Sequence, residues 1–521
     1  MSASDKKKLR AAERAEKMTE KQQAAQKEAK KLKLMTTIFV VVLAAMICFA
    51  AVTAVTRTIE NSGVRQNKTV AVTIGNHEIS NAELNYYYID TVNNFYSQYG
   101  SYSYLLGLDV TAPLDEQVLD EATGKTWADD FIDSAVSTAK SVYALNDAAA
   151  AAGFTLSDAD KASIDNTYST MELYAMYYGY SNVADYLRAM YGAGSSEEGF
   201  RKYLEMSYTA DAFQNHYYES LTYTDADLRE AEADDYNAYS SYSYNSYYLS
   251  ANSFDDTAAA EAAAKELTAE GINTVEALDA AIAGLSINKD TSAASTANDD
   301  VLSTSISSLY AEWLADSARK NGDVAYFANT STSGETTTVN GYYIVMFRGS
   351  TDNNFPLVNV RHILAAFEGG STDSTTGVTT YSDEEKMAAK ADAEALLGLW
   401  QVGDKTEESF AILANANSED GDGTTGGLYE NIYPGQMVTN FNNWCFDSSR
   451  EAGDTDIVET NYGYHVMYFS GESDVTYRDY MIENDLKNAA LTEWYNGLVD
   501  AMTFTMGNTK YMSTNMVLSA N

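Results

Sequence analysis

The sequence predicts an α+β protein: a mainly helical region, then two successive domains in which an antiparallel sheet carries packed helices, behind one N-terminal transmembrane helix. Three observations lead there. Capped helical patterns follow one another from about residue 80 to 239, a stretch beginning at Ala311 recurs from Asn442, and Leu34 to Thr56 carries no charge. A chain of 521 residues is too long for one hydrophobic core and divides into domains. A net charge of -41 repels phosphate, which argues against nucleic acid as a partner.

Residues 1–34 carry 11 Lys and Arg against 5 Asp and Glu and lack an apolar stripe, so they read as a solvated cytoplasmic segment. The uncharged run that follows, 35–56, is long enough to cross ~30 Å of hydrocarbon as a helix. Basic flanks stay inside, which places the N-terminus in the cytoplasm and everything after Arg57 outside, as a single-pass protein of the cell membrane. A cleaved signal peptide fits less well, because the basic region and the apolar run are both too long. The two cysteines, Cys48 and Cys445, fall on different sides of that arrangement, so no disulfide joins them.

Residues 57–236 form the helical domain. Val70-Ala71-Val72-Thr73-Ile74 reads as a strand ending at Gly75-Asn76, and Ser80 with Glu83 reads as a capping box. Helical patterns follow over 127–152, 157–178, 183–191, 196–221 and 224–239, with Ser157, Ser196 and Thr224 as N-caps. Forty tyrosines are unusual. They suit core edges, with the ring buried and the hydroxyl wet, and could also line a cradle for unfolded chains. A late amphipathic helix over 476–502 is expected to complete this domain, leaving 503–521 as a short strand or tail.

An internal repeat organises the rest. Residues 311–324 match 442–455 at six positions without a gap, through Trp, Asp, Ser, Arg, Gly and Asp. About one match is expected by chance. The flanks agree: Gly341-Tyr342-Tyr343 mirrors Gly463-Tyr464-His465, and Ser246-Tyr247-Tyr248-Leu249 mirrors Arg361-His362-Ile363-Leu364. Two copies of one fold are therefore expected over 237–350 and 354–473. The first has Tyr247 and Tyr343 where the second has its histidines, and is read as a copy that kept its fold and lost its chemistry.

In the second copy a strand bearing His362 leads to a helix capped by Ser382, a helix around 410–416, and Ser418-Glu419-Asp420. Gly426-Gly427-Leu428, Pro434-Gly435-Gln436-Met437, Phe441, Phe446 and a closing strand with His465 follow. This order resembles the parvulin family of peptidyl-prolyl isomerases. The resemblance implies that His362 and His465 are paired central histidines, that Asp420 is their acidic neighbour, and that these three are catalytic. It implies that Leu428, Met437, Phe441 and Phe446 bind the proline ring, with Thr460 a hydroxyl near the closing strand. The layout of the helical region resembles the chaperone region of SurA- and PrsA-type foldases.

The sequence departs from the family where Gly-Gly-Asp-Leu-Gly is usual: Gly426-Gly427-Leu428-Tyr429-Glu430 lacks the aspartate and the last glycine. The residue types suit the chemistry on their own account. Rotating an X-Pro amide breaks no bond, so the reaction calls for neither metal nor cofactor. Asp420 and Asp422 do not have the ligand spacing of a calcium-binding EF-hand. The expected partners are unfolded, newly exported polypeptides containing X-Pro bonds. A non-catalytic holdase, with two peptide-binding modules, is the alternative.

Overall fold

The computed structural model describes residues 62–287, 292–373, 376–421 and 424–516. The cytoplasmic segment and the transmembrane helix expected from sequence lie outside these residues. Among the described residues no helix is long and apolar enough to cross a membrane. The chain divides into two units, one ending at Ser220 and resumed from Ala490, the other covering Leu221–Ala489.

In the first unit, strands Val70–Ile74, His77–Ser80 and Phe504–Met506 form an antiparallel sheet with Val70–Ile74 in the middle. Helices Asn81–Tyr99 and Trp127–Ala152 pack with the sheet around a core that includes Ile74, Leu84, Tyr88, Phe131 and Ala135, while Asp158–Tyr177, Val183–Tyr191 and Glu197–Ser220 enclose a second cluster with Ile164, Leu187 and Phe200. Side chains start these helices where the sequence has hydroxyls. Ser80 accepts the Glu83 N–H at 3.2 Å, and Ser157 forms a reciprocal box with Asp160.

Many tyrosines in this unit have buried rings and hydroxyls that donate to carboxylates: Tyr143 to Glu83 at 2.6 Å, Tyr168 to Glu197 at 2.5 Å, Tyr203 to Asp90 at 2.5 Å. Others, among them Tyr104 and Tyr177, project into solvent at helix ends. The long helix Tyr477–Ala501 runs through the division between the units. Its last turns belong to the helical one, where Trp494 stacks on Tyr217 with centroids 4.0 Å apart.

The second unit contains one topology twice. The first copy runs β1 (Ser241–Ser250), α1 (Thr257–Glu266), α2 (Val275–Ala283), β2 (Thr296–Leu302), α3 (Ala311–Ala315), β3 (Val324–Ser333) and β4 (Thr336–Thr351). The second runs β5 (Pro356–Ala366), α4 (Asp383–Val402), α5 (Glu407–Asn417), β6 (Leu428–Ile432), α6 (Thr439–Cys445), β7 (Thr455–Glu459) and β8 (Gly463–Thr476). Their antiparallel sheets are ordered β2-β1-β4-β3 and β6-β5-β8-β7. In each copy two helices cover one face and a short helix covers the other, so the central strands are buried on both faces. This explains why β5 and β8 read as nearly unbroken apolar runs.

The strand register corrects one expectation from the repeat. Met467 pairs with His362 and His465 with Leu364. In the first copy Val345 pairs with Ser246 and Tyr343 with Tyr248. Tyr343 thus holds the place of His465, but the place of His362 belongs to Ser246. Tyr247 is one residue away, on the opposite face, packed against the α1 and α2 core. Successive strand side chains alternate faces, so a slip of one position exchanges them.

Candidate functional site

β5 and β8 are neighbours in the middle of their sheet, and the registers given above put His362 and His465 diagonally across from each other on one face. Both rings are buried, and Nδ1 of one lies 3.0 Å from Nδ1 of the other. Phe441, carried by α6, presents itself edge-on to both imidazoles, with centroids 5.5 and 5.3 Å away. Met437 and Phe446 pack into the same apolar cluster as Phe441.

Polar groups stand at both ends of the pair. Thr460, in the turn between β7 and β8, has Oγ1 3.0 Å from His465 Nε2 and accepts the Tyr462 N–H at 3.1 Å. Asp420, on the loop after α5, has Oδ2 3.2 Å from His362 Nε2. Burial pushes the His362 ring below its ordinary pKa, and the charge of Asp420 offsets part of that shift. Burial and then His362 hold His465 down to about 4, against a smaller upward pull from Asp420. At neutral pH both rings are uncharged.

Charge and valence order the protons. A carboxylate oxygen only accepts, so with Asp420 Oδ2 3.2 Å from Nε2 the favoured tautomer of His362 has its hydrogen on Nε2 and leaves Nδ1 as an acceptor. His465 Nδ1–H then donates to His362, which leaves His465 Nε2 to accept from the Thr460 hydroxyl. Each of the four ring nitrogens has a polar atom within 3.2 Å, which orients the buried rings without a charge in the apolar surround.

Of the eight residues singled out from sequence, His362, His465, Asp420, Thr460 and Phe441 meet here, and Met437 and Phe446 join through the apolar cluster that holds Phe441. Leu428 does not. It pairs with Arg361, whereas Tyr429 pairs with Val360. Val360 and His362 share a face because they are two residues apart, so Tyr429 turns toward the site and Leu428 away from it. The Tyr429 ring lies 4.7 Å from His362, and its hydroxyl donates to Asp420 Oδ2 at 2.8 Å. Burial, aided by Asp420, raises that hydroxyl to about 12. The missing signal was the pairing of β6 with β5 after the glycine pair, which assigns the inward position to 429.

Gly427 was quoted from sequence only as part of the motif, yet it brings β6 into place. Its carbonyl accepts the His362 N–H at 2.9 Å, and its φ is +66°. In the first copy the corresponding face holds no imidazole. Ser246 accepts from Asn298 at 3.0 Å, and Tyr343 packs between Tyr248 and Tyr310 with centroids 4.9 and 5.8 Å away.

The depressed histidine pKa has a measurable consequence. The unfolded chain takes up a proton at this histidine near pH 6.5, and the native chain only near 4. Its contribution to stability is therefore whole above pH ~6.5 and is lost as pH falls to ~4. The urea midpoint of the full chain should fall more steeply over that window than that of His465→Asn. Parallel curves would refute the assignment.

Residues 342–472 match the family model of the PPIC-type PPIASE domain, Rotamase_3. Among solved structures the chain is similar to peptidylprolyl isomerase PrsA from Bacillus cereus, at 21% identity over 29% of this chain and 50% of that one, with a TM-score of 0.17. PrsA from Bacillus anthracis is 18% identical over 29% of this chain and 59% of that one, TM-score 0.18. PrsA from Bacillus subtilis is 14% identical over 75% and 93% of the two chains, TM-score 0.29. The chain thus spans half of the first of these proteins and 59% of the second. No curated protein matches it.

Proposed function

We propose, from the premise that residues 342–472 are a PPIC-type peptidyl-prolyl isomerase domain, that this chain is an extracytoplasmic foldase that isomerises X-Pro bonds in exported polypeptides. The observation that carries the reading is the neutral histidine pair, bonded Nδ1 to Nδ1 at 3.0 Å beneath the edge of Phe441. The uncharged stretch 34–56 behind a basic segment supports a single-pass membrane tether with the N-terminus in the cytoplasm. The helical region, 57–236 with 474–502, holds the client. The module over 237–350 acts as a spacer or peptide-binding copy, and 354–473 carries the reaction.

The uncatalysed rotation faces ~18–20 kcal/mol because the amide must lose its resonance. A twisted amide is less charge-separated than a planar one, so an apolar, water-poor surround favours it. Phe441, Met437 and Phe446 supply such a surround, and Tyr429 closes its rim. The histidine pair, held by Thr460 and Asp420, offers fixed dipoles without a net charge, and these need no rearrangement as the amide turns. A thousandfold acceleration requires only about 4 kcal/mol of such preference.

A protease-coupled proline assay on the full chain tests the reading. The chain should accelerate isomerisation, and His362→Ala should lower kcat/KM at least tenfold. An undiminished rate in that variant would defeat the catalytic role. Exposed aromatic residues at the ends of the helices, including Tyr102, Tyr104 and Tyr177, favour a second reading as a holdase. Suppression of client aggregation with no isomerase rate would select it.

A further inference from the structure

Tyr429 belongs to no part of the histidine pattern, yet it touches three members of the site. Its ring lies 4.7 Å from His362 and 6.4 Å from Phe441, and its hydroxyl reaches Asp420. The oxygen it bonds, Oδ2, is the one that faces His362 Nε2. Asp420 needs such a hold. Its side chain is 38% exposed and sits on a loop, where water competes for every acceptor position. The 3.2 Å contact from a neutral imidazole is long for a hydrogen bond and weak against that competition. The 2.8 Å bond from Tyr429 is shorter and comes from a strand fixed by pairing with β5.

We propose that Tyr429 is a positioning residue: its hydroxyl holds the Asp420 carboxylate against His362 Nε2–H and thereby fixes which nitrogen of each histidine carries the proton. Without that hydroxyl the carboxylate turns to water and His362 loses its acceptor. The reversed order then becomes accessible, with His362 Nδ1–H donating to His465 and His465 Nε2–H donating to Thr460. Only the kinetic half of the test below rests on the isomerase reading.

The chain has four histidines, so nitrogen-labelled imidazoles of the full-length protein give few enough signals to follow each ring. Wild type should show the Nε2–H form at His362 and the Nδ1–H form at His465. Tyr429→Phe keeps the ring and its packing, and should mix the two forms as Asp420→Ala does. Each substitution should lower kcat/KM about tenfold, the usual consequence of losing one hydrogen bond to a charged group. In the Asp420→Ala background, Tyr429→Phe should cost less than twofold, because its effect passes through that carboxylate.

Unmoved ring signals in Tyr429→Phe, or rate losses that multiply in the double variant, would overturn the inference. Tyr429→Leu, which removes ring and hydroxyl together, should reproduce the ring signals of Tyr429→Phe, and unmixed signals there would also count against it. A wild type with no isomerase rate would remove the proposed function and leave the ring signals to decide this point.

Discussion

Gly427→Ala should dismantle the site, with isomerase activity falling more than a hundredfold and the near-ultraviolet signal of the β5–β8 module reduced. A Cβ at this position would stand 2.1 Å from the carbonyl oxygen of His362 and 3.2 Å from the Ala414 Cβ. The first contact is with backbone in a central strand, which has no rotamer to change. The residue also has φ +66°, where a side chain costs ~1–2 kcal/mol before any clash. Relief requires β6 to withdraw from β5, which breaks the His362 N–H bond to the Gly427 carbonyl and carries Tyr429 away from Asp420.

Gly435→Ala supplies the control. Gly435 has φ +86° but nothing within 4 Å of a built Cβ, so it should lose only the conformational cost, ~1–2 kcal/mol, and keep activity. Equal behaviour of the two variants would show that close approach to His362 does not matter.

The second large effect is expected at Arg478, where the helix Tyr477–Ala501 begins. Its guanidinium is buried, donates to Glu232, to the Asp352 carbonyl at 2.8 Å and to the Tyr236 carbonyl at 2.5 Å, and lies 3.9 Å from the Tyr236 ring centroid. Beside it Asn353 donates to the Tyr239 carbonyl at 3.0 Å and to Ser241 Oγ at 2.9 Å. These bonds tie the short link between β4 and β5 to the segment that leads into β1.

Arg478→Leu removes the buried partner of Glu232, which keeps only Arg229, and the donor to two carbonyls, a loss of ~3 kcal/mol, the lower end for a broken buried pair. Hydrogen exchange at the amides of residues 477 and 478, which donate to the Phe355 and Asn353 carbonyls, should quicken by about a hundredfold or more. Unchanged exchange there would mean that the link is held by packing alone.

How far the sequence reached is clearest at the histidines. His362 and His465 stood out because four histidines serve the whole chain and two of them lie in apolar strand patterns. Asp420 and Thr460 followed from the family order. Tyr429 was passed over for Leu428, and Ser246 for Tyr247. Both errors are slips of one residue in a strand. The pairings that decide them, Tyr429 with Val360 and Ser246 with Val345, are properties of strand pairs. The Arg478 cluster was invisible for a related reason, since its partners come from segments more than a hundred residues apart.

The amino-acid sequence alone determined where helices begin, because a cap is a contact between residues three apart, and it determined that one fold occurs twice, because repetition is written along the chain. It also supplied the residue types of the site. Only the tertiary structure decided which side of each strand faces the imidazoles and which hydroxyl reaches the carboxylate. Those choices depend on register between strands distant in sequence, and alternation along a single strand leaves both faces open until a partner is paired.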